Sequence, residues 1–287
     1  MKKNVFNLGF VLLIFLGNTV YAERFCIILD PGHGGKDSGA VVEYLVKENE
    51  IPDLSSSKYT LLCEEINKIV VKEKDLNYKI ALHMEKEFKK YANDKGEEIE
   101  VYITHKEDDN PNLESRVQLG IEKEANLVVS IHNNATEIKT RCKKNSKETH
   151  SGSMILVTNA HSKDLQGNDL HIEEERLGLK ILENLKSIGI TPSPFLPDGL
   201  FRRLSENGTK YDTGEIADYY RIVKEGIIKK ILSIIVECAY LNNPYDYENF
   251  LNSDEKLQKI AVSIVKAIAD FYNLKLVVSY DNPLTKN

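Results

Sequence analysis

The sequence predicts an α/β domain built on a mostly parallel sheet flanked by helices on both faces. Short apolar runs of strand length recur along the chain. Segments with an apolar residue every three or four positions separate them, and these segments are long enough to serve as crossovers between parallel neighbours.

Residues 25–29 form a continuous apolar run halted by Asp30-Pro31-Gly32, which reads as a buried strand and its turn. Leu76, Ile80, Met84 and Phe88 recur every four residues and place one apolar stripe on a helix over about 74–91. Residues 100–104 alternate as a strand, Leu113, Val117 and Ile121 mark a second helix, and 127–131 is another buried strand. The alternation continues with a strand at 153–157, a helix at 173–185 and a strand at 231–236. Leu257, Ile260, Ile264 and Ile268 then define a closing helix, with Ser253 as its N-cap and Asp254 and Glu255 in its first turn. Two stretches fall outside this rhythm. Residues 41–71 are polar and serine-containing in their middle, and 187–217 are rich in Pro, Gly, Asp and Arg. Both are expected to be surface elaborations near the functional edge.

Lys2 and Lys3 precede an uncharged, largely apolar run over 5–16, and Val20 and Ala22 stand at the third-last and last positions of a cleavage site. Residues 1–22 are therefore expected to be a signal peptide, followed by one domain over 23–275 and a tail at 276–287. A retained membrane anchor is the competing reading, but the apolar run falls short of the ~20 residues a spanning helix needs. Residues 1–22 contain two of the 38 basic side chains and none of the 44 acidic ones. Their removal takes the formal charge from −6 to −8, which makes nucleic acid a poor partner. The cysteines Cys26, Cys63, Cys142 and Cys238 contain no C-x-x-C spacing. In an oxidising compartment disulfides are allowed without being required. Cys26 and Cys238 lie in apolar strand-like runs that suit buried thiols.

In open α/β sheets ligands bind beyond the carboxyl ends of the strands. His33 follows the first strand, His132 ends the strand from 127, Glu237 ends the strand from 231, and Glu73 precedes the helix of Leu76 to Phe88. Singly, each has an ordinary explanation as a turn residue or a helix-dipole partner. Together, two imidazoles and two carboxylates suit a hydrolytic zinc centre with three protein ligands and a spare carboxylate for proton transfer.

The motifs themselves are Ile28-Leu29-Asp30-Pro31-Gly32-His33-Gly34-Gly35-Lys36-Asp37, Lys72-Glu73-Lys74-Asp75-Leu76-Asn77, Ser130-Ile131-His132-Asn133-Asn134-Ala135 and Ile235-Val236-Glu237. In that order they resemble the zinc-dependent N-acetylmuramoyl-L-alanine amidases. Leu113-Glu114-Ser115-Arg116-Val117, Asp218-Tyr219-Tyr220 and Leu241-Asn242-Asn243-Pro244 agree as weaker matches. The resemblance implies one zinc ion held by His33, Glu73 and His132, Glu237 as the catalytic acid/base, and hydrolysis of the amide between N-acetylmuramic acid and the L-alanine of the stem peptide. Glu48, in Lys47-Glu48-Asn49, competes for the glutamate role, but Glu73 has the family's Asp75-Leu76-Asn77 and a periodic helix behind it. Cys238-Ala239-Tyr240 stands where a Gly-Phe pair is usual, and Asn133 where alanine is.

Two other functions remain open at this level: a zinc peptidase acting within stem peptides, and an inactive peptidoglycan-binding or regulatory module on the same scaffold. The expected substrate is peptidoglycan or a muropeptide, with an activator protein as a further partner. Export is expected, to the periplasm rather than the medium. Arg202 or Arg203 is a candidate for meeting stem-peptide carboxylates.

Overall fold

A computed structural model describes residues 24–45, 68–136, 150–164 and 167–277. The first half of the chain forms β1 (Cys26–Pro31), β2 (Val41–Leu45), β3 (Lys68–Lys72), α1 (Glu73–Phe88), β4 (Tyr91–Ala92), β5 (Glu100–Ile103), α2 (Leu113–Glu122) and β6 (Leu127–Asn134). The second half forms β7 (Met154–Leu156), α3 (Leu170–Ser187), β8 (Leu200–Phe201), α4 (Arg221–Lys229) and β9 (Ser233–Tyr240). A helical turn α5 (Pro244–Asp246) then runs into a wider turn at Tyr247–Leu251, and α6 (Asp254–Phe271) and β10 (Lys275–Leu276) follow.

Six strands form the central sheet in the order β5-β1-β6-β9-β7-β8. β5, β1, β6 and β9 are mutually parallel, as the strand–helix alternation predicts. β7 runs antiparallel to β9, and β8 follows β7 in parallel, so one edge of the sheet is reversed. Mixed sheets of this kind are common among large α/β folds. Two small antiparallel pairs, β2 with β3 and β4 with β10, flank the sheet.

Side chains on successive strand residues point to opposite faces, and the sheet buries both. Ile27 and Leu29 of β1 join a core with Leu76, Ile80 and Met84 of α1, Leu177 and Ile181 of α3, and Ile260 and Ile264 of α6. Cys26 and Ile28 face the other way, into a core with Val117 of α2 and Ile222 and Val223 of α4. Burial of each such Ile or Leu stabilises the fold by about 1.5–3 kcal/mol. α6 starts where the sequence predicts, with the Ser253 hydroxyl accepting from the Lys256 N–H at 3.4 Å. Asn112 caps α2 in the same way, accepting from the Ser115 N–H at 2.8 Å.

Three features differ from the sequence expectations. β6 and β9 pair beyond 131 and 236, so His132 and Glu237 lie within the strands, directly opposite each other. The ladder continues through them because Glu237 is flanked on both sides, by His132 of β6 and Met154 of β7. Residues 41–71 are not loop throughout: 41–45 pair with 68–72 as β2 and β3, and the residues between lie outside those described. α4 is an addition, with Ile222, Val223 and Ile227 as its buried stripe. The expected signal peptide, Glu48, Cys63 and Cys142 lie outside the described residues, while Cys26 and Cys238 are buried free thiols. No helix among the described residues is long and apolar enough to cross a membrane.

Candidate metal centre and its cleft

The turn after β1 is shaped by its glycines and by one arginine. His33 itself has φ of +67°, followed by Gly34 at +132° and Gly35 at +53°. Such values are costly for a side-chain-bearing residue unless its surroundings hold it. Arg116, reaching from α2, does so with all five of its N–H groups. They go to Asp30 and the Pro31 carbonyl from one terminal nitrogen, the His33 carbonyl and Asn110 from the other, and the Pro111 carbonyl from Nε.

Glu73 reaches the same place by a different route. The β2/β3 pair sets Val41 opposite Lys72 and so brings the start of α1 beside Ala40. There the Glu73 N–H donates to the Ala40 carbonyl at 2.9 Å, and the Ala40 N–H donates back to Glu73 Oε2 at 2.9 Å. Asn77, one turn along α1, donates to Glu73 Oε1 at 3.3 Å, as does the Asn133 N–H, and the Asn133 side chain donates to Asn77 Oδ1 at 2.9 Å. The carboxylate is thus held in a buried amide frame. Sequence reasoning gave Asn77 and Asn133 no such role, because a motif shows identity and order but not which side chains turn inward.

His33, Glu73 and His132 converge. Glu73 Oε2 lies 3.1 Å from His33 Nε2, Glu73 Oε1 lies 3.0 Å from His132 Nδ1, and one ligand atom from each residue falls within 4.8 Å of the others. Zinc ligands at about 2.1 Å in tetrahedral array stand about 3.4 Å apart, so three ligand atoms within 4.8 Å are close to the spacing that a single small divalent ion needs. The donor types, two neutral imidazoles and a carboxylate, fit zinc chemically. His33 Nδ1 sits 2.9 Å from Asp37 Oδ2. A proton donated to that carboxylate leaves the Nε2 lone pair directed at the centre.

Without an ion, these groups share protons among themselves. Burial pulls His33 down, but the hydrogen bonds and charges of Glu73 and Asp37 outweigh it and raise the pKa to about 9. Burial opposes His132 likewise, and Glu73 and Glu237 raise it. Glu73 would be pushed up by burial, yet the two imidazoles hold it well below the usual carboxylate range. Glu237 is different. Burial pushes it up to about 7, with the Glu73 charge adding to the rise and His132 and His33 opposing. Its Oε2 is buried and has no hydrogen-bond partner among the described residues. The register of β6 and β9 slips by one residue immediately after the His132–Glu237 pair. Bulges at such positions re-aim side chains at sites.

His33, His132 and Glu237 line a cleft of about 640 Å³ whose wall also includes residues 110–113, leading into α2, and Tyr220 and Arg221 at the start of α4. Arg202 and Arg203 do not line it. Arg202 pairs with Glu175 and Asp198, and Arg203 pairs with Glu206 while lying over the Tyr219 ring. The cleft arginines are Arg116 and Arg221, which sequence order alone did not distinguish.

Comparisons with known proteins agree with this geometry. The N-acetylmuramoyl-L-alanine amidase family, Amidase_3, matches residues 27–270. The amidase AmiC of Escherichia coli is 25% identical over 254 residues, covering 86% of this chain and 52% of that protein, so the chain spans about half the length of this curated relative. Among solved structures, the catalytic domain of CwlV from Bacillus (Paenibacillus) polymyxa var. colistinus superposes with a TM-score of 0.55 at 20% identity, covering 88% of this chain and 100% of that one. Ami1 from Mycobacterium smegmatis gives 0.55 at 18% identity, with 87% and 97% covered. Cwp6 from Clostridium difficile gives 0.56 at 23% identity, with 86% of this chain and 29% of that chain covered. These structural likenesses establish the shared fold, and the family match over most of the sequence establishes the kinship: the chain belongs to the N-acetylmuramoyl-L-alanine amidase family.

Proposed function

We propose that this domain hydrolyses the amide between the lactyl group of N-acetylmuramic acid and the L-alanine of the stem peptide. One zinc ion is held by His33, Glu73 and His132, and Glu237 is the acid/base residue. The observation that carries the reading is the meeting of three ligand-type atoms within 4.8 Å beside a buried carboxylate with an unpartnered oxygen.

When bound, zinc supplies Lewis acidity, acidifying water and polarising the carbonyl. The chain's own residues do the rest. Glu237 takes a proton onto its free Oε2 as water attacks, and returns it to the leaving amine of L-alanine. Burial raises Glu237 above an ordinary carboxylate in the metal-free site, the direction that passing a proton both ways near neutral pH requires. Asp37 fixes the His33 tautomer, the two imidazoles keep Glu73 ionised, and hydrogen bonds from Asn77 and the Asn133 N–H hold it in place. The basic start and apolar run of 1–22 support export, with the periplasm favoured and peptidoglycan as substrate.

The test is Glu237→Gln. The zinc-loaded variant is expected to keep one metal per chain while muropeptide hydrolysis falls by about 10²–10⁴. Intact stem peptides beginning with L-alanine are the expected wild-type product. A zinc-loaded Glu237→Gln protein working at the wild-type rate, or a wild-type protein that binds no zinc at neutral pH, sinks the proposal.

A further inference from the structure

Both arginines on the cleft wall carry charge, but only one has donors to spare. Arg116 is buried, and its five N–H groups are all engaged within the protein. Arg221 lines the same cleft as Glu237 and is 43% exposed. Its Nε pairs with Glu225 at 2.6 Å, and one terminal nitrogen meets Glu114 at 3.2 Å. Three of its five N–H groups have no partner among the described residues.

The two carboxylates on Arg221 are not alike. Glu225 is buried, sits one turn along α4 and is also approached by Lys229 at 3.8 Å, so it fixes the direction of the guanidinium. Glu114 belongs to α2, next to Leu113 of the cleft wall, and is 58% exposed. An exposed pair of this kind contributes little stability, and an incoming carboxylate displaces it cheaply. Glu114 therefore engages a donor that a ligand carboxylate can take over.

We propose that Arg221 is the carboxylate-recognition residue of the cleft, taking the stem-peptide carboxylate nearest the L-alanine, with Glu114 as the internal carboxylate that this group displaces. The assignment rests on the amidase reading given above. The chemistry of the substrate decides which half carries the anion. The carboxyl of the muramoyl lactyl group is consumed by the scissile amide, so only the peptide half brings free carboxylates. A cleft of about 640 Å³ is the size of a drug-like ligand site, so a group held by Arg221 belongs to a residue near the scissile bond. A planar guanidinium suits bidentate recognition there.

The test compares two muramoyl peptides whose second residue carries either a free carboxylate or its amide, assayed with the zinc-loaded protein. Equilibrium binding of the corresponding L-alanyl product peptides is measured by calorimetry. Wild type is expected to prefer the free carboxylate. Arg221→Gln reduces the ratio of kcat/KM between the two substrates, and the ratio of product affinities, by about ten-fold. Glu114→Gln moves both ratios the other way by a few-fold, a gain that misfolding cannot mimic. If Arg221→Gln lowers both substrates in parallel, or leaves the ratios unmoved, or if Glu114→Gln narrows the preference, the assignment is wrong. Wild-type protein that loads zinc and cleaves neither substrate overturns the amidase reading and this inference with it.

Discussion

Arg116 Nη1 lies 3.0 Å from Asp30 Oδ1, and both side chains are only 1% exposed. This is the fixed point on which the His33 turn rests, since the same guanidinium also holds the Pro31 and His33 carbonyls. Thr104 and Ser130 supply two more hydrogen bonds to Asp30, at 2.7 Å each. Removing one partner of a buried pair strands the other charge and typically costs about 3–5 kcal/mol. Arg116→Ala is therefore expected to lower Tm by roughly 10 °C for a domain of this size. It should also weaken zinc binding, because His33 loses its backbone restraint. Thermal denaturation with and without zinc measures both effects. A variant with wild-type Tm would show that the turn supports itself.

Much of this arrangement was legible in one dimension. The apolar runs at 25–29, 127–131 and 231–236 located the three strands that matter, because a strand buried on both faces has few polar positions to break the run, here only Ser130 and Ser233. The every-fourth-residue stripe from Leu76 to Phe88 located α1 and so favoured Glu73. What escaped was long-range pairing. The reversal of β7 depends on which edge the chain returns to, and the β2/β3 pairing joins two short segments across 22 intervening residues, a partnership that the local sequence does not show. The direction of Arg202, Arg203 and Arg221 depends on tertiary partners such as Glu175, Glu206 and Glu225, which no local pattern reveals.

Asp37 contacts His33 and not the centre itself, so its removal separates orientation from ligation. Asp37 Oδ2 accepts from His33 Nδ1 at 2.9 Å, while Oδ1 accepts from the Gly39 N–H at 3.0 Å. Groups that orient a metal-binding histidine typically contribute 10–100-fold in affinity. Asp37→Ala is expected to weaken zinc binding by about that factor while Tm of the metal-free protein changes little, since Asp37 is half exposed. Competition with a chelating dye gives the affinity. Unchanged affinity would assign the His33 tautomer to some other contact.

Gly39 tests how closely the centre is packed. Its φ is +62°, and a Cβ there would stand 2.5 Å from His33 Cδ2 and 2.6 Å from Glu73 Oε2. Gly208 also has positive φ, at +74°, but a Cβ there meets nothing within 4 Å. Both alanine variants bear the backbone cost of a left-handed conformation, about 1–2 kcal/mol. Only Gly39→Ala also displaces two proposed ligands. Denaturation should show similar backbone losses plus a further loss at Gly39, and zinc titration should show weakened binding for Gly39→Ala alone. Equal zinc affinities in the two variants would mean that the His33 and Glu73 side chains can shift without harm.

Glu174 links pH to stability away from the centre. It projects from α3 and is wholly buried, with Oε2 accepting from the Thr158 N–H at 2.7 Å and Oε1 without a partner among the described residues. Burial pushes its carboxyl well above the ordinary value of 4.5, and the nearby Asp218 charge adds to the rise. The sign follows from proton counting. In the folded protein the group keeps its proton at pH values where the unfolded chain has released it, so folding gains most from Glu174 below about 4.5 and loses that contribution as pH rises toward the folded pKa. A Glu174→Gln side chain retains an oxygen for the Thr158 N–H and has nothing to ionise. Denaturant midpoints measured from pH 5 to pH 8 should therefore fall more steeply for wild type than for Glu174→Gln, with the variant gaining ground as pH rises. Parallel profiles would mean that Glu174 is ionised in the fold, its charge met by the backbone N–H groups around it.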